Sequence, residues 1–139
     1  MALKLKYFED FKGNRTILMS VDKQSLQMFF ETINDWENNN KTICLTNLPY
    51  VQAFNQTELT LCVSRNNTGL YETADGFVFT LPYEGWNYVK ELLKALLNSK
   101  SGHGHQYIDY DSICGQLNDT GLVISLNEYH EDDWIGWKA

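Results

Sequence analysis

The sequence predicts an α+β domain in which a mainly antiparallel sheet of about six to eight strands packs against two main helices. Three observations carry this expectation. Two segments place apolar residues at helical spacing, the remaining apolar segments are short and rich in β-branched and aromatic residues, and the signals between them are those of tight turns. At 139 residues the chain is read as one domain, residues 1–139, able to bury a normal core without staples.

The elements follow in order. "LKLKYFEDF" alternates Leu3, Leu5 and Tyr7 with Lys4 and Lys6, and "KGNR" supplies a turn before "TILMSV". This predicts a hairpin with strands at 2–9 and 15–21. Ser20 or Asp22 can cap the next segment, where Leu26, Phe29, Phe30, Ile33 and Trp36 recur at helical spacing until Asn38, Asn39 and Asn40 end it. "TICLTNL", "ELTLCVSR", "LYETA" and "FVFTLP" then read as strands separated by Pro-Tyr, Asn-Asn-Thr-Gly and Asp75-Gly76, the last a hairpin signal. A second helix is expected over 84–99, with Trp86, Val89, Leu92, Leu93, Leu96 and Leu97 on its apolar stripe and Gly102 beyond its end. "HQYIDY" and "GLVISLNEY" close the chain as strands, giving the order β-β-α-β-β-β-β-α-β-β.

Bulk chemistry excludes several function classes. A net charge of -7 repels phosphate backbones, and no lysine or arginine cluster offsets it, so direct nucleic-acid binding is not expected. No apolar run approaches a membrane span, and the first residues do not read as a secretory signal, so a cytoplasmic location without membrane attachment is expected. Under that expectation the Asn-x-Thr triplets at Asn14, Asn40, Asn55, Asn66 and Asn118 read mostly as turns rather than glycosylation sites. Cys44, Cys62 and Cys114 sit singly among apolar residues, as reduced core thiols do.

The segment "SGHGHQYIDYDSIC" raises the question of chemistry. In an extended strand His103, His105, Tyr107, Asp109 and Asp111 share one face, alternate side chains being roughly 6.5 to 7 Å apart. Two histidines at i and i+2 supply neither the three or four convergent ligands nor the outer partners of a metal site. Gly102 and Gly104 suit a bend out of the helix, with His105 fixing backbone groups or Asp109. Cys114 near the histidines keeps a cysteine- or metal-dependent enzyme using His103, His105 and Asp109 as the alternative. Carboxylates at Asp109, Asp111, Asp132 and Asp133 have no evident substrate position between them, and no glycine-rich phosphate loop enters a helix.

The tail "NEYHEDDWIGWKA" interleaves Glu128, Glu131, Asp132 and Asp133 with Tyr129, Trp134 and Trp137. Aromatic anchors beside acids suit a surface that binds a basic protein. The competing reading folds a tryptophan back onto the core and leaves the acids to water.

The stretch from Tyr83 to Leu126 resembles a pattern in bacterial immunity proteins of polymorphic-toxin and contact-dependent growth inhibition systems. In that pattern a glycine opens a leucine-rich helix, a His-x-x-x-Asp-like strand follows, and an apolar strand closes the unit. The matching residues are Gly85, Leu92, Leu93, Leu96, Gly102, His105, Asp109 and the run Leu122 to Leu126; they cover the final third of the chain, and the earlier part carries no matching motif. The resemblance implies a non-enzymatic protein without cofactor or metal that binds and neutralises a cognate toxin domain, with a basic nuclease as the expected type. Glu128, Glu131, Asp132, Asp133, Trp134 and Trp137 are the partner-binding residues expected from the tail's chemistry. The same surface would also serve a protein-interaction subunit unrelated to toxins.

Overall fold

The computed structural model describes residues 2–11, 14–37, 42–54, 56–108 and 120–129. β1 (Leu3–Phe11) and β2 (Asn14–Val21) form the expected hairpin, from Lys4 opposite Ser20 to Phe8 opposite Thr16. α1 (Lys23–Glu37) follows. Its start is closed reciprocally: the Ser25 amide donates to Asp22 Oδ1 at 2.8 Å, and the Asp22 amide donates to Ser25 Oγ at 3.1 Å. Asp22 is therefore the cap, while Ser20 lies buried in β2; Asn38 to Asn40, expected to end the helix, lie outside the described residues. α2 (Tyr83–Leu97) occupies the second helical stripe.

The β segments depart from expectation in arrangement. "TICLTNL" contributes only β3 (Ile43–Cys44) before a 3-10 turn at Leu45–Asn47, because fully buried Leu45 points this apolar run into the core through a turn. β4 (Val51–Ala53) arises just past the Pro-Tyr turn signal, and β5 (Leu59–Val63), β6 (Gly69–Thr73) and β7 (Gly76–Leu81) follow. β8 (Gly104–Tyr107) and β9 (Thr120–Leu126) complete the set.

These strands form not one antiparallel sheet but two mixed ones, ordered β4-β1-β2-β9-β8 and β3-β5-β7-β6. Parallel pairs occur at β1/β4, β2/β9 and β5/β7. The physical reason is that a short connection reverses chain direction without making consecutive strands adjacent. β5 and β6 run oppositely but leave a gap, and β7 turns back from β6 to fill it, which makes β7 parallel to β5. The β6/β7 hairpin turns on Ala74 and Asp75, with Thr73 opposite Gly76. Gly76 instead serves a close approach at φ +128: a Cβ there would lie 2.8 Å from Glu58 Cβ, and the next amide, Phe77 N–H, donates to Glu58 O.

One hydrophobic cluster joins the inner faces of both sheets to both helices, from Leu3 and Leu5 through Leu26, Phe29, Phe79 and Trp86 to Leu126. At its centre Trp36 and Trp86 meet edge to face, centroids 5.0 Å apart, and Phe79 packs on Trp86 at 5.3 Å. The Trp86 indole N–H donates to Cys62 O at 2.8 Å. Cys62 is itself paired in the β5/β7 ladder, opposite Thr80, so the indole adds a side-chain donor to a carbonyl on an already paired strand. The buried Trp36 indole N–H meets no acceptor among the described residues.

The outer face of the five-stranded sheet is where the functional question falls. Registers align Gln52, Lys4, Ser20, Ser125 and His105 in one row across it, and Lys6, Leu18, Val123 and Tyr107 in the next. Phe8, Phe11, Leu18 and Val123 form a second apolar cluster here, joined by Phe54 and Tyr129. Lys6, which alternates with the apolar residues of β1, is only 3% exposed, its ammonium 5.0 Å above the Phe8 ring.

Candidate functional site

The two-histidine segment begins where α2 ends. Gly102 at φ +75 and Gly104 at φ +153 turn the chain into β8, conformations that a side chain would strain. The Ser99 and Ser101 hydroxyls donate to the His103 carbonyl at 3.0 and 2.9 Å, and Asn127 Nδ2 donates to the Gly102 carbonyl at 2.9 Å. His103 thus precedes the strand and belongs to a joint tied to the end of β9.

His105 is in the strand and faces outward with Tyr107, their rings edge to face at 5.3 Å. Its Nδ1 lies 3.1 and 3.2 Å from the two Glu128 oxygens. Ser125, fully buried directly opposite His105 in the β8/β9 ladder, donates its hydroxyl to Glu128 Oε1. The expected partner Asp109 lies outside the described residues, as do Asp111 and Cys114; Glu128 is the carboxylate found at His105.

Burial pushes the Glu128 carboxyl up, but the hydrogen bonds from Ser125 and His105, with the charges of His105 and His103, outweigh it and hold it below the ordinary glutamate value. The carboxylate sits between the hydroxyl and the imidazole. A hydrolytic relay needs the imidazole between nucleophile and carboxylate, so this order orients His105 and leaves Ser125 without a base. Among the described residues no three His, Cys, Asp or Glu side chains converge on a metal position. Cys44 contacts Thr46 Oγ1 at 2.9 Å, and Cys44 and Cys62 are both half-buried thiols.

No family model, curated protein or solved structure matches the chain.

Of the tail residues expected to meet a partner, Glu128 is described and has the internal role above. Glu131, Asp132, Asp133, Trp134 and Trp137 lie outside the described residues. Sequence reasoning missed Ser125 and Phe11, which together with His105, Tyr107, Glu128 and Tyr129 line a recess of about 240 Å³. The signal for Ser125 was present: it is the one polar residue in "LVISL" and shares a face with Val123 at strand periodicity. Among the described residues no helix is long and apolar enough to cross a membrane.

Proposed function

We propose that this chain is a non-enzymatic immunity protein that binds and neutralises a cognate bacterial toxin domain in the cytoplasm. The observation that carries the reading is the charge balance: 18 acidic against 11 basic residues, with acids and aromatics interleaved from Glu128 to Trp137. Such a surface suits a basic cleft, and a nuclease is the toxin type whose cleft is basic because it holds phosphates. Carboxylates of the inhibitor would stand where phosphates sit. Glu131, Asp132 and Asp133 supply steering charge in this reading, and Trp134 and Trp137 are the anchors that give it lifetime.

The Ser125–Glu128–His105 arrangement supports a structural over a catalytic role for the histidine segment, since its hydrogen bonds close on themselves. The deciding experiment is co-expression with the toxic domain encoded beside the gene. Survival only when this chain is present supports the reading; death in its presence, or no complex with the neighbouring product, overturns it.

A further inference from the structure

We propose that the recess between β8 and β9 on the outer sheet face is a binding site for a single arginine side chain of a basic protein partner. Its walls are the rings of Phe11, Tyr107 and Tyr129, and its polar side is Glu128 with His105 and Ser125. Phe11 and Tyr129 stand edge to face, centroids 6.3 Å apart, and Tyr107 is 58% exposed at the rim. At about 240 Å³ the recess falls below the size of pockets that hold drug-sized molecules and suits one side chain.

The chemistry of the lining selects a flat cation. Aromatic faces attract cations through the ring quadrupole, and a guanidinium also stacks on them as a plane, which an ammonium cannot do. Glu128 adds a carboxylate that its neighbours keep ionised. Ser125 and His105 use part of its capacity, but a carboxylate offers about four lone-pair directions, and guanidinium N–H groups can take the remainder. The lysines of this face, Lys4 and Lys6, stand on β1. β2 lies between β1 and β9; Lys6 is held over the Phe8 ring, and Lys4 lines a neighbouring recess that also reaches Tyr129, so both flank the site without being among the residues that line it.

Only the partner's identity rests on the immunity reading; the site itself does not. The test is a titration of the full chain with N-acetyl-arginine amide, followed by amide shifts at Tyr107, Glu128 and Tyr129, with N-acetyl-glutamine amide as the neutral control. Saturable shifts at these residues are expected for the arginine probe alone, with a midpoint in the millimolar range. Glu128→Gln should weaken binding about tenfold. Tyr107→Leu, at an exposed position that the fold does not need, should weaken it about threefold. No saturable shift, equal response to both probes, or unchanged affinity in both variants overturns the proposal. Probe binding without rescue from the toxin would remove the immunity reading and leave the site; rescue without probe binding would do the reverse.

Discussion

Trp36 and Trp86 are a matched pair for measuring what one buried hydrogen bond contributes here. They touch each other in the core, and their exposures are 6% and 1%. Replacing either by phenylalanine removes the same atoms, so the transfer and cavity terms largely cancel between the two variants. What differs is the N–H. Trp86→Phe loses the bond to Cys62 O, a net loss of about 1 kcal/mol, on a carbonyl whose residue keeps its place in the β5/β7 ladder. Trp36→Phe removes a buried donor that meets no acceptor among the described residues, a relief of about 1 kcal/mol. Trp86→Phe should therefore be the less stable variant by about 2 kcal/mol. With a urea dependence of about 2 kcal/mol per molar, that is a separation of roughly 1 M between unfolding midpoints. Equilibrium urea titrations followed by circular dichroism measure it. Equal midpoints, or Trp36→Phe the weaker, would refute the stabilising role assigned to the Trp86 indole bond.

Three other outcomes are expected. The Glu128 carboxyl is held below its ordinary value of 4.5, so its contribution is fully present above that pH and lost as pH falls through the lower folded value. Urea midpoints between pH 3 and 7 should show that acid loss in the native chain and less of it in Glu128→Gln; parallel curves would contradict the link. Gly102→Ala, at φ +75 in open space, should cost about 1 kcal/mol, whereas Gly76→Ala sets a Cβ 3.0 Å from the Glu58 carbonyl oxygen and should cost at least twice as much, about 2 kcal/mol or more. Thermal melts distinguish them, and equal shifts would argue against the close approach. Glu131, Asp132 and Asp133 changed together to amides should slow association with the toxin and reduce its salt dependence without altering the melt; an unchanged association rate at low salt removes those acids from the interface.

The helices and the first hairpin were legible because their information is local. Apolar residues at helical spacing, a capping Asp22 and the alternation of Leu3, Leu5 and Tyr7 each act within a few residues. The parallel pairs were not legible, since β2 meets β9 across most of the chain and no turn residue specifies that choice. The histidine segment was partly legible: its two glycines announced the bend, and both take positive φ. The partner of His105 was not, because Glu128 lies 23 residues away and reaches the imidazole only through the β8/β9 register.

By itself, then, the sequence determined the class of elements, the joint at Gly102 to Gly104 and the acidic charge, all of which depend on residue type and short spacing. Only the tertiary structure decided that the strands divide into two mixed sheets and that Lys6 is withdrawn from solvent. It also decided that Ser125, Glu128 and His105 close on one another beside three aromatic rings. Those outcomes depend on which distant strands become neighbours, a choice made by burying both sheets' apolar faces against the two helices at once.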